Sequence, residues 1–258
     1  MRGTKSDFYL MSSTEKCAKE DGVLVSYQKN PDAATGTCAV LVNGGERSLV
    51  ANLAAANTFT HAHLETAEAK EIIKNAQIYY ISGFFLTVSV DSILAIAKHS
   101  VENSKIFVMN LSAPFLIQFF GDQMASTMPY TDFVFGNESE AAAYGEAKGY
   151  GSDIATIALK LSAQPKVSGT RPRIVVFTQG SIATVVAVGG VVTEYPVDPL
   201  ARYRERPSDY YPPLTTPICV VYTLFYCTIM SSSSYTYSRS ICTEGSFWLT
   251  PMEPETPS

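Results

Sequence analysis

Between residues 76 and 180 the chain alternates short apolar runs with stretches in which apolar residues recur at helical spacing. The runs AQIYYISGFF (76–85), KIFVMNLSAP (105–114), YTDFVFGN (130–137) and RIVVFTQG (173–180) predict strands, being short and rich in aromatic and β-branched residues. Between them, SVDSILAIAKHSVEN predicts a helix with Ser89 as its N-cap and Ile93, Ile96 and Ala97 on one face. FLIQFFGDQMASTM and ESEAAAYGEAKG predict two more. Strands apolar on both faces that alternate with helices imply a parallel sheet between helical layers. ATVVAV and VVTEYPV then predict a β-meander.

Residues 23–53 have a different pattern. VLVSYQ, TGTCAVLV and RSLVANL predict strands of a small antiparallel sheet, and Asn43-Gly44 marks a tight hairpin turn because both positions tolerate positive φ. Beyond Arg202 no helix or strand period continues: YRERPSDYYPPLTTP is rich in proline and tyrosine, and SSSSYTYSRS is of low complexity. The predicted organisation is a partial amino-terminal segment (1–22), β-lid hairpins (23–53), an α/β domain (54–202) and a divergent, low-complexity or disordered tail (203–258). A rival reading of the tail is a membrane anchor. LTTPICVVYTLFYCTIM (214–230) has the length to span a bilayer, but its threonines, cysteines and Pro217 weigh against a span.

Composition narrows the class. With 258 residues, 46% of them hydrophobic and 17% charged, the chain can bury a core without disulfides. A net charge of −5 and a pI near 5.3 supply no basic stripe, so nucleic acid is not an expected partner. Five widely spaced cysteines without a C-x-x-C pair point to a reducing compartment rather than a disulfide framework or a zinc site. His61-x-His63 has no third ligand nearby and reads as loop histidines. The first ten residues carry charge without an apolar run, so secretion is not expected.

Two stretches invite a chemical reading. GERSLVANLAAAN sets one arginine, Arg47, ahead of an uncharged run, which alone reads as a strand with a solvated arginine at the hairpin end. Asn137 and Glu140 stand three apart at the start of a helix, the spacing of a capping box, where orphan N–H groups also favour an anion.

ATGTCAVLV, GERSLVANLAAAN, YYISGFFLTVS, NLSAPF, FGNESEA and VFTQG, in that order, resemble the adenosine kinases of the ribokinase (PfkB carbohydrate kinase) family of sugar and nucleoside kinases. The likeness runs from about residue 20 to residue 202. It implies a three-layer α/β/α ribokinase-like sandwich, incomplete in this chain, with a small antiparallel lid. It also implies ATP-dependent phosphorylation of the 5′-hydroxyl of adenosine to AMP, a purine-salvage reaction, with ATP as co-substrate and Mg²⁺ as cofactor. By the resemblance, Arg47 stabilises the transferred phosphate. Leu49, Ala51 and Phe84 hold the adenine, and Phe84 rather than Phe85 stacks on it. Asn110, Asn137, Glu140, Thr178 and Gly180 lie on the ATP and phosphate side, with Glu140 holding Mg²⁺ through water. A cytoplasmic monomer is expected, with a nuclear location also open.

The chain departs from that pattern at two places. The family's amino-terminal aspartate and Gly-Gly stretch over the ribose have no counterpart in MRGTKSDFYLMSSTEKCAKEDG. The DTNGAGD motif, which carries the anion hole and the aspartate acting as general base, is replaced after EYPVDPLAR by YRERPSDYYPP. Asp209 is followed by YYPP, where proline forbids a helix, and is no substitute. The expectation is therefore a kinase-like chain that is inactive or weak; the alternative is a non-catalytic fragment that binds nucleoside or a partner kinase chain.

Overall fold

The structure, a computed structural model, describes residues 15–43, 46–167 and 171–197, with only the backbone of Glu46 and Arg47. The tail 203–258, including the stretch 214–230, lies outside the described residues. Those described fall into two compact units, 15–75 and 76–197.

The first unit carries one hairpin, β1 (Thr37–Asn43) against β2 (Glu46–Asn52). Its register pairs Val40 with Leu49 and Cys38 with Ala51, so these four share one face, while Ala39, Leu41 and Val50 share the other. The predicted strand at 23–28 does not form. Its polar groups bond instead to the turns that follow β2: Gln28 donates through Nε2 to the Thr58 carbonyl at 2.8 Å and accepts from the Thr60 N–H at 2.9 Å. His63 Nε2 lies 3.0 Å from the Ser26 carbonyl, so this histidine is a structural tie. The unit closes with α1 (Ala67–Asn75), a helix the sequence pattern did not predict; it buries only Ala69, and Ile72 and Ile73 are its only large apolar residues.

The second unit is a six-stranded sheet in sequential order, β3 (Ile78–Ile81), β4 (Ile106–Asn110), β5 (Phe133–Asn137), β6 (Ile174–Gln179), β7 (Ile182–Val188) and β8 (Val191–Tyr195). β3 to β6 are parallel; β7 and β8 add the antiparallel meander. The helices are α2 (Val90–Glu102), α3 (Pro114–Phe119), α4 (Gly121–Thr127), α5 (Glu138–Lys148) and α6 (Ile154–Ser162). The Ser89 side chain caps α2 by accepting from the Ser92 N–H. The single helix predicted over 115–128 is two, because the backbone leaves helical geometry at Phe120, just before Gly121. The helix α6 was not predicted, although Asp153 caps it and Ile157, Ala158 and Leu161 bury one face.

The amino ends of the central strands are tied by buried charge. Asp132 accepts from the Phe107 N–H at 3.0 Å, meets the Lys166 ammonium, and its carbonyl accepts from the Ile174 N–H at 2.8 Å, linking β4, β5 and β6. Burial pushes the Lys166 ammonium below its ordinary range, against the opposing pull of Asp132. Arg173 is buried and donates to the carbonyls of Met128, Thr131, Leu161, Gln164 and Pro165. These groups hold one end of the sheet rigid, and the candidate chemistry lies at the other.

Candidate active site

Parallel strands deliver their carboxyl ends to a common edge, where open α/β sheets hold ligands. Here β4 ends at Asn110, β5 at Asn137 and β6 at Gln179, with Asn137 in register with Thr178. β3 ends at Ile81 and passes into a 3₁₀ turn, Gly83–Thr87.

At β5 the strand runs directly into α5. Asn137 is the N-cap: its side chain accepts from the Glu140 N–H at 2.8 Å, and Glu140 Oε2 accepts from the Asn137 N–H at 3.1 Å. Both halves of the predicted capping box form. Glu140 is only 7% exposed, and burial holds its carboxyl above the usual range, the Asn137 N–H bond opposing. Next to it, a side chain at Gly136 would come within 3.2 Å of Glu140 Oε2 and 3.1 Å of the Phe177 ring, so the strand end admits no Cβ without displacement. Across the pair, the Thr178 hydroxyl reaches the Gly136 carbonyl at 3.5 Å. Gly180 turns the chain into β7 with φ of +57°, a conformation glycine adopts without strain.

At β3 and β4 a second group converges. The Gly83 N–H donates to Asn110 Oδ1 at 2.8 Å, and the Phe84 N–H donates to Ser112 Oγ at 3.2 Å. Phe84 is 48% exposed, with its ring 5.8 Å from that of Phe115. Asn110 therefore binds the turn that carries Phe84. Leu49 and Ala51 belong to the first unit, where both are exposed on the hairpin; the Arg47 side chain lies outside what is described.

The pfkB family carbohydrate kinase model matches residues 12–202. The chain belongs to that family. It is 51% identical over 177 residues to the adenosine kinase of Dictyostelium discoideum, covering 69% of this chain and 52% of that protein. It is 48% identical over 191 residues to adenosine kinase 2 of Arabidopsis thaliana, covering 74% of this chain and 55% of that protein. Among solved structures, Anopheles gambiae adenosine kinase in complex with P1,P4-di(adenosine-5) tetraphosphate aligns with a TM-score of 0.72 at 42% identity, over 77% of this chain and 59% of that one. Adenosine kinase from Schistosoma mansoni in complex with 2-fluoroadenosine aligns with a TM-score of 0.71 at 32% identity, over 78% and 59%. The chain thus spans a little over half the length of these adenosine kinases.

For a pfkB kinase the donor set at β5 and α5 is chemically apt for magnesium. Among the described residues no group of three or more acidic, histidine or cysteine side chains is placed to hold a metal ion. Glu140 uses one oxygen for the cap and has a second for an ordered water. Among the described residues no helix is long and apolar enough to cross a membrane. Pattern reading passed over Ser112, whose φ of +65° and central hydroxyl are unremarkable in the string NLSAPF.

Proposed function

We propose that this pfkB-family chain binds adenosine and Mg²⁺·ATP and acts in transfer of the γ-phosphoryl group to the 5′-hydroxyl of adenosine, giving AMP and ADP. The observation that carries this reading is the convergence of Phe84, Asn110, Asn137, Glu140 and Thr178 at the carboxyl ends of four parallel strands, with a buried carboxylate among them. The names of the related adenosine kinases support the choice of adenosine over a sugar.

Each residue has a role in that proposal. Phe84 offers an exposed ring face to the base, and Leu49 and Ala51 offer apolar surface from the hairpin. Thr178 and Gly180 stand on the nucleotide side, together with Asn110. Asn137 and Glu140 orient water around magnesium, which supplies charge neutralisation to the phosphates when bound. Arg47 meets the phosphoryl group as charge builds on it.

The proton leaving the 5′-hydroxyl needs an acceptor. In the family resemblance this is an aspartate in a glycine-rich turn after the meander, where this chain reads YRERPSDYYPP. Loss of a general base costs about 10² to 10⁴ in rate, so binding is expected to outlast turnover. The test is AMP formation from adenosine and Mg²⁺·ATP by the 258-residue chain, alongside calorimetric titration with adenosine and a size-exclusion profile. Saturable binding with turnover at least about a hundredfold below an intact adenosine kinase is the expected result. Binding with no AMP at all would leave a nucleoside-binding role, and no binding by a compact chain would overturn the proposal.

A further inference from the structure

The turn that carries Phe84 is fixed by a closed set of hydrogen bonds. Asn110 Oδ1 accepts from the Gly83 N–H at 2.8 Å and from the Ser112 hydroxyl at 2.6 Å, which fills both of its lone pairs. The Ser112 hydroxyl gives its single proton to that bond, so Oγ is left as an acceptor for the Phe84 N–H at 3.2 Å. The Ser82 hydroxyl, 3.2 Å away, supplies the remaining contact. Gly83 is pinned from its other side, since a Cβ there would lie 2.4 Å from the Asn110 carbonyl oxygen and 3.0 Å from Ser112 Oγ.

Ser112 holds this place with φ of +65°, in the left-handed region that non-glycine residues rarely adopt. A glycine would sit there without strain but would have no hydroxyl. Strain retained for the sake of one side-chain atom marks a position where that atom has a task. The two consecutive N–H groups held by Asn110 and Ser112 belong to Gly83 and Phe84, so together they set the plane from which the Phe84 ring projects.

We propose that Ser112 is a positioning residue for base recognition: through Asn110 and the backbone of residues 83 and 84, it orients the Phe84 ring for stacking on a planar nucleobase. This rests on the reading that Phe84 stacks on the base. It also gives the side-chain oxygen of Asn110 a task at the base, through the turn it binds, beside that residue's proposed place on the nucleotide side.

The probe is 2-aminopurine riboside, whose fluorescence falls when its base stacks, titrated into the full chain and its Ser112→Gly and Phe84→Ala variants. Ser112→Gly is chosen because it relieves the backbone, so its thermal midpoint should stay within about 3 °C of the parent. It should nevertheless raise the dissociation constant about tenfold and weaken the quench at saturation, because the ring is no longer held at the stacking angle. Amide exchange at Gly83 and Phe84 should quicken in the same variant. If Ser112→Gly binds and quenches as the parent does while Phe84→Ala loses the quench, the positioning role is wrong and the stacking reading stands. If Phe84→Ala also quenches as the parent does, or the parent does not quench, stacking on Phe84 is wrong and the role of Ser112 falls with it.

Discussion

Glu140 shows how one residue can complete a helix cap and bury a carboxyl group, with opposite consequences for stability. Its carboxylate completes the cap of α5, yet it is almost wholly buried, and burial raises its pKa in the folded chain. A carboxyl with a raised folded pKa favours folding where it is protonated, and that contribution is lost as pH climbs from the unfolded value through the folded one. At neutral pH the full cost of the buried charge is present. Glu140→Gln keeps an oxygen for the Asn137 N–H and removes the charge. It should therefore raise the melting temperature by about 3 °C at pH 7, a gain that shrinks as pH falls toward about 4.5. The same variant should weaken magnesium-dependent nucleotide binding about tenfold, since a neutral amide orders cation-bound water poorly. Melting curves across pH and ATP titrations with and without Mg²⁺ check both halves. A variant less stable than the parent at pH 7 would mean that the capping charge outweighs desolvation. Asn137→Ala removes the side-chain acceptor of the cap and should cost about 1 kcal/mol, read by urea unfolding.

Among the elements, α6 and the end of the 128–131 segment depend on a side chain that no motif announces. Arg173 lies two residues after Arg171 in RPR, a string that reads as an ordinary charged loop, yet its guanidinium is buried and caps carbonyls from several segments. Burial pulls its pKa below the usual arginine range, and the ring of carbonyl dipoles takes the place of water around the charge. Arg173→Ala should destabilise the chain by about 4 kcal/mol, and Arg173→Lys should recover less than half of that, because an ammonium cannot reach so many acceptors in one plane. Denaturant unfolding measures both, and a loss under about 1 kcal/mol for the alanine variant would show that water satisfies those carbonyls. The case also marks what could be read from sequence. Strands β4 to β6 and helices α2 and α5 were legible because local pattern and tertiary burial agree there, and Asn137 with Glu140 was legible because capping is a local interaction. The strand expected at 23–28 failed because a strand exists only with a partner, and its polar groups found the turns after β2 instead. The hub at Asn110 and Ser112 was hidden because it joins residues 27 and 28 positions apart through side chains.

At the scale of the whole molecule, burial is distributed very unevenly between the two units. Phe107, Val108, Val134, Val175 and Phe177 lie at the centre of the second, all at 2% exposure or less. In the first, the hairpin shows Val40 at 51% exposure on one face and Leu41 at 64% on the other, so both faces of the two-stranded sheet carry exposed apolar side chains. A lone hairpin is marginal in water, since its ladder must offset the chain entropy with little apolar burial. Its amides should therefore open locally, while those of β4, β5 and β6 open only with the whole unit. Hydrogen exchange should run at least about 10³-fold faster over residues 37–52 than over residues 106–110, 133–137 and 174–179. If Leu49 and Ala51 meet the base as proposed, saturating adenosine should slow exchange around residues 48–51, while ATP alone should not. Equal protection of hairpin and sheet in the free chain would mean that another surface covers β1 and β2 in solution. Fast exchange that adenosine leaves unchanged would remove the hairpin from base binding while leaving the Phe84 turn to be judged on its own.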